Sequence, residues 1–170
     1  MKIHITVGTP HFLYKKMQNH SAETMLLMEN TEQAVLIHET NGASIFNEPR
    51  SFDILASKGQ LIHEGFVVMH HFNVTEEGKP LFEYRLKDSL EMLDTQAGLL
   101  AIRCLRPLQS RTYMIVTIWD NEGNFQKWKN SKGYEQFQLF LYKDSGIDSI
   151  PNIFSNPSSI STYYTSAKED

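Results

Sequence analysis

The stretch TYMIVTIWDNEGNFQKWKNSKGYEQFQ, residues 112–138, decides the fold. Its opening run alternates as an extended chain does. Tyr113, Ile115, Thr117 and Trp119 share one face, and Met114, Val116 and Ile118 share the other. Asn121, Glu122 and Gly123 then turn the chain into a helix that carries Phe125 and Trp128. Tyr134 and Gln138 follow one helical turn apart, so they share a face.

Upstream of this strand, LLAIRCL (residues 99–105) is a second strand, introduced by Gly98 and ended by Pro107. A helix precedes it. Pro80 sits in its first turn, and Phe82, Leu86, Leu90 and Leu93 recur at helical spacing. Residues 61–74 have strand character and stop at Glu76, Glu77 and Gly78. Downstream, the looser run KDSGIDSIPNIFSNPSS leads to a last strand, ISTYYT.

The N-terminal part shows the same order of elements. KIHITV (residues 2–7) alternates as a half-buried strand, and Pro10 opens a short helix on which Phe12, Leu13 and Met17 share a face. Two strands, ETMLLME and QAVLIHE, flank the turn residues Asn30 and Thr31. A second helix is expected over residues 49–57, from Phe52, Ile54 and Leu55. The order β-α-β-β-α thus occurs twice, the pattern of two ferredoxin-like halves in an α+β architecture. The halves divide at residues 1–60 and 61–170, with Gly59 the breaker between them.

Composition narrows the function classes. With 16 basic and 20 acidic residues in 170 and a formal net charge of −4, the chain has no basic face for nucleic acid. Cys104 is the single cysteine, which excludes an internal disulfide and a thiolate cluster. Its setting in LLAIRCL marks it as a packing residue. The start MKIHITVGTPHF lacks a signal-peptide core, and polar residues interrupt every later apolar run, so a cytoplasmic protein without membrane contact is expected. His4, His11, His20, His38 and His63 show no metal-ligand spacing, and His4 and His38 alternate with apolar residues as sheet residues do. The nucleophile-elbow, phosphate-loop and H-E-x-x-H patterns are absent.

Several segments carry a family resemblance: FVVMHHFNVTEEGKPLF, AIRCLRPL, FQKWKNS, IFSNPS and, nearer the N-terminus, ETMLLMEN and AVLIHET. They resemble the antibiotic-biosynthesis-monooxygenase (ABM) superfamily, in particular its haem-degrading monooxygenases of the HmoB and IsdG type and its TRAP-related signal proteins. The resemblance implies a ferredoxin-like domain (β-α-β-β-α-β) of the dimeric α+β barrel type over residues 61–170. Members commonly pair two sheets across a homodimer; a chain with two halves is able to close a barrel as a monomer.

Three positions do the work in the haem-degrading members. An asparagine on the first strand bonds the ligand on the iron, a tryptophan on the second helix distorts the porphyrin, and a histidine ten residues later ligates the iron. In this chain the tryptophan matches as Trp128. The asparagine position falls on His70 or, one residue along, His71. The axial position holds Gln138, whose amide oxygen is a weak donor for haem iron. Tyr134, on the same face as Gln138, is a candidate substitute ligand as tyrosinate, and His70 is another from the opposite side. Because neighbouring residues of a strand point oppositely, only one of His70 and His71 lines a pocket.

The resemblance implies a haem-degrading monooxygenase, with haem as substrate and cofactor and an external electron donor. A non-catalytic TRAP-like signalling or stress protein, binding haem, another apolar small molecule or a partner in the same cavity, is the alternative. A cofactor-independent ABM monooxygenase is the third.

Overall fold

The computed structural model describes residues 1–61, 64–93, 95–142 and 153–165; His63 and residues 143–152 of the looser run fall outside the described residues. The N-terminal half holds β1 (Lys2–Gly8), α1 (Pro10–Asn19), β2 (Thr24–Glu29), β3 (Ala34–Thr40) and β4 (Arg50–Lys58). The C-terminal half holds β5 (Phe66–Asn73), α2 (Lys79–Leu93), β6 (Leu99–Pro107), β7 (Thr112–Trp119), α3 (Glu122–Lys129), α4 (Lys132–Tyr142) and β8 (Ser159–Thr165). The strands close into a single barrel in the order β1-β3-β2-β8-β5-β7-β6-β4. The architecture is the α+β, ferredoxin-like one expected, and one chain completes the barrel.

The helix expected over residues 49–57 is instead the strand β4. It pairs with β1 on one side and β6 on the other, and without it the barrel would stay open. Its pairing with β6 slips between Ile54 and Ala56, a bulge that breaks the period of two. Phe52 and Ile54 therefore join the barrel interior, while Leu55 and Ala56 meet the outer layer. Apolar residues at 52, 54 and 55 imitate a helical face for that reason.

Alternation along the other strands separates three cores. Ile3, Ile5, Leu26, Val67, Met114 and Val116 are among the residues that fill the barrel. On the outside, α1 lays Leu13 over Met25, Leu27 and Leu36 of the N-terminal half. Helices α2, α3 and α4 cover the outer face of β5, β6 and β7, with Phe82, Leu86, Phe125, Trp128 and Phe137 against Val68, Phe72, Ile115 and Trp119. Glu83 pins α2 to the sheet by accepting from Tyr113 Oη at 2.7 Å and from Arg106 Nη1 at 3.1 Å.

An ion pair ties the halves together inside the barrel. Arg103 on β6 shares its face with Ala101 and Leu105, and donates from Nε and Nη2 to the Glu39 carboxylate of β3 at 2.5 and 3.3 Å. Nη1 satisfies the carbonyl oxygens of Lys58 and Ile102, each at 2.9 Å. The pair is largely shielded, with side-chain exposures of 5% and 14%. Removing one partner strands a buried charge, whereas replacing both with apolar groups does not. Arg103→Met is therefore expected to cost about 3 kcal/mol in urea unfolding, and Arg103→Met combined with Glu39→Met to recover most of that loss. Equal losses in the single and double variants would show that the charge pair is not what the site requires.

Candidate functional site

β5 directs Phe66, Val68, His70 and Phe72 toward the helical layer and Val67 and Met69 into the barrel. The direction of the two adjacent histidines follows. His70 faces the helices at 5% exposure, flanked across the sheet by Ile115 of β7 and Ile160 of β8. His71 points the other way and shares a hydrogen bond of 2.9 Å with Ser161 Oγ.

Local chain chemistry brings the remaining groups to His70. Asn121 caps α3 by accepting from the Asn124 amide at 2.9 Å. Ser131 ends α3 and starts α4: its hydroxyl donates to the Trp128 carbonyl at 2.6 Å and accepts from the Tyr134 amide at 3.2 Å. This joint sets Trp128 on the last turn of α3 against Tyr134 on the first turn of α4, with ring centroids 4.8 Å apart and planes at 79°. Such edge-to-face contacts suit the aromatic quadrupole.

The result is an aromatic box around one imidazole. The ring centroids of Phe72, Trp128, Tyr134 and Phe137 lie 6.1, 6.5, 6.4 and 6.5 Å from that of His70. Trp119 backs Trp128 at 5.4 Å and has its own indole hydrogen bonded to Thr117 Oγ1 at 2.9 Å. Among the described residues, neither nitrogen of His70 has a hydrogen-bond partner, nor has Trp128 Nε1. Burial pushes the His70 imidazolium down to about 4, with the positive charges of His71 and Lys129 adding to the effect. At neutral pH the ring is uncharged, and one of its nitrogens carries a free lone pair.

Gln138 and Tyr134 do share a face, and Gln138 Nε2 donates to Tyr134 Oη at 2.9 Å. Burial raises the Tyr134 pKa, with the neighbouring Tyr142 acting in the same direction, which holds the group as a phenol. The box thus unites His70, Trp128 and Tyr134, with Gln138 bound to its rim through Tyr134. Phe72 and Phe137 complete it and had no separate signal beyond aromatic spacing. Arg85, on the face of α2 that carries Phe82 and Leu86, is 5% exposed with Nη1 unpartnered; its position beside a helical apolar row hid it.

The model of the antibiotic biosynthesis monooxygenase family matches residues 65–139, the segment from β5 to α4 that builds the box. The heme-degrading monooxygenase of Listeria monocytogenes is 30% identical over 145 residues, covering 85% of this chain and 86% of that protein. The chain belongs to the antibiotic biosynthesis monooxygenase family. The signal transduction protein TRAP of Staphylococcus epidermidis is 23% identical over 131 residues, 77% of this chain and 78% of that one. In fold, a solved structure of a major regulator of staphylococcal pathogenesis superposes with a TM-score of 0.85 at 18% identity, covering 98% of this chain and all (100%) of that chain.

Within the ABM family's segment, His70 has a measurable consequence for stability. An imidazole in an unfolded chain titrates near about 6.5, whereas His70 in the fold is pushed down to about 4. Between those values the unfolded chain binds the additional proton, so stability is full above the window and falls as the pH drops through it. The loss is on the order of 3 kcal/mol for this one group. Urea unfolding at neutral pH and at the acidic end of the window should show His70→Phe losing about 2–3 kcal/mol less than the native chain. Equal acid sensitivity in both would remove His70 as the source.

Proposed function

We propose that the aromatic box is a haem site and that this protein is a haem-binding, haem-degrading member of its family. One observation carries the proposal: a buried, uncharged imidazole on β5 whose two nitrogens have no partner among the described residues. Buried polar groups without partners are uncommon and call for an explanation, and a neutral imidazole is the usual haem ligand on the protein side. The walls fit the group as well. Phe72, Trp128, Tyr134 and Phe137 give flat apolar faces of the kind a macrocycle needs.

In this assignment His70 would hold the iron, Trp128 would bear on the ring, and Tyr134 with Gln138 would complete the pocket. Gln138 stands where the resemblance places the axial histidine, and its amide is engaged with Tyr134. The role of ligand therefore passes to β5. Haem, when bound, supplies both the oxygen-activating iron and the ring that is cleaved, with electrons from an external donor. The protein's part is to hold the ring, keep His70 dry and uncharged, and admit the ligand by separating α3 and α4 from the sheet. That separation is required because the box rings already stand within 6.5 Å of His70. The resemblance to the heme-degrading relative supports the ring-cleaving part.

A second assignment, a non-catalytic signal protein that uses the same box for a ligand or partner, is favoured by the Gln138–Tyr134 bond and by the likeness to TRAP. Haem titration of the purified chain, followed by absorbance, tests both. The native chain should show saturable binding and a Soret band at micromolar haem. His70→Ala should weaken binding by roughly tenfold or more, the scale on which even outer-shell partners of a metal act. Ascorbate should then bleach the band in air. A stable band under ascorbate would favour the signalling assignment. No band in the native chain would overturn the haem site altogether, and a band gained only in Gln138→His would place the loss at the axial position.

A further inference from the structure

The N-terminal half contains a second group of histidines, remote from the box in both chain and layer. On the outer face of its sheet, register aligns Met25 of β2 with His38 of β3, and His38 with His4 of β1. Ser51 of β4 extends the same row next to His4. Directly opposed residues share a face, and neighbouring strands lie about 4.8 Å apart, so the row Met25–His38–His4 spans roughly 10 Å. All three side chains are buried, at 2%, 0% and 5% exposure. The rings of His4 and His38 are centred 6.0 Å apart, and Phe46 closes over His38 with its ring centre at 5.8 Å.

Each imidazole is held at one nitrogen and open at the other. His38 Nε2 faces the Glu23 carboxylate at 3.1 Å, and His4 Nδ1 faces the Ser51 hydroxyl at 2.8 Å. A carboxylate only accepts, so Nε2 of His38 carries the hydrogen and Nδ1 of the neutral ring is left as a lone pair. Ser51 Oγ is able to accept from His4 Nδ1, which frees Nε2. Those two nitrogens, His38 Nδ1 and His4 Nε2, are buried and have no hydrogen-bond partner among the described residues. Burial lowers the His4 pKa and so favours the neutral ring; the Gly42 backbone beside the ring acts against this, and the charges of His38 and Lys2 act with it. A histidine oriented by a carboxylate through its far nitrogen is the usual outer arrangement of a metal ligand.

We propose that Met25, His38 and His4 form a buried site for a monovalent soft cation, Cu(I), on the outer face of β2, β3 and β1. The donor set selects the ion. Thioether sulfur is a soft donor that suits Cu(I), imidazole suits copper generally, and a singly charged soft ion is satisfied by two or three such donors. Structural zinc, by contrast, takes four nitrogen, sulfur or carboxylate ligands. Among the described residues no group of three or more His, Cys, Asp or Glu side chains is placed to hold a metal, so the thioether is what completes this set. Glu23 is a positioning residue: it orients His38 and does not touch the ion.

Anaerobic competition with a chromogenic Cu(I) chelator, ascorbate present, tests the site. The native chain should withhold one equivalent of Cu(I). His38→Phe and Met25→Leu should each weaken binding by roughly tenfold or more, and Glu23→Gln by roughly tenfold, as a lost outer-shell partner does. Cys104→Ser and His70→Ala should leave it unchanged, which separates this site from the box. If His38→Phe does not fold, Met25→Leu and Glu23→Gln carry the same comparison. Imidazole nitrogen resonances of the native chain give a second readout, with His38 Nδ1 and His4 Nε2 shifting on addition of Cu(I) and the nitrogens facing Glu23 and Ser51 keeping their hydrogens. No Cu(I) withheld by the native chain, or undiminished affinity in all three site variants, would overturn the proposal.

Discussion

Closure of eight strands into a barrel is the constraint from which the other features follow. Once the barrel is closed, every strand has an inside and an outside, and the period of two assigns each side chain to one of them. β7 shows the demand in full: Met114, Val116 and Ile118 are buried in the barrel while Tyr113, Ile115 and Trp119 are buried beneath the helices. A slip of one residue in register would exchange the two sets. The Arg103–Glu39 pair obeys the same rule: charges placed on the inner face have to find each other across the barrel, and β6 and β3, which are not neighbours, meet there.

The same geometry places one histidine on the first strand of each half so that it faces away from the barrel interior. His4 on β1 lies beside His38 on the outer face of the N-terminal sheet, and His70 on β5 lies under α3 and α4. Their surroundings differ in kind. His4 and its neighbour His38 stand among polar partners, a hydroxyl and a carboxylate, that fix each ring at one nitrogen. His70 stands among apolar groups, four aromatic rings with Ile115 and Ile160 beside it in the sheet, and is the more strongly depressed in basicity, as expected where desolvation acts with no compensating acceptor among the described residues. The first environment orients a nitrogen for a small ion. The second leaves both nitrogens buried among apolar groups.

Much of this was legible in the chain. The alternation of residues 112–119 and the turn at Asn121 give β7 and α3 directly, and the spacing of Tyr134 and Gln138 correctly puts them on one face. Residues 49–57 misled because the bulge at Ile54 and Ala56 removes the strand period and leaves apolar residues at helix-like intervals. The choice between His70 and His71 was open for a different reason. Which parity of β5 faces outward depends on the partners that fill the barrel, and that is a property of the closed sheet, not of the strand. Phe137 and Arg85 stayed hidden because helical rows of apolar and long basic residues look alike whether they line a site or only a core.

The solidity of the barrel behind β5 also decides which side of the box is able to yield. Val67 and Met69 on the same strand as His70, and Ile118 and Val116 across from them, are buried at 1% exposure or less. Interiors packed to this degree resist local rearrangement, since a displaced methylene there costs about 1 kcal/mol. The helical side is different at one point. Between Trp128 and Tyr134 the continuous helix gives way to a joint held by Ser131, whose single hydroxyl serves both the end of α3 and the start of α4. Trp128, Tyr134 and Phe137 all hang from the two helices at that joint. A group that reaches His70 therefore moves these rings rather than the sheet, and the imidazole stays where the barrel fixes it.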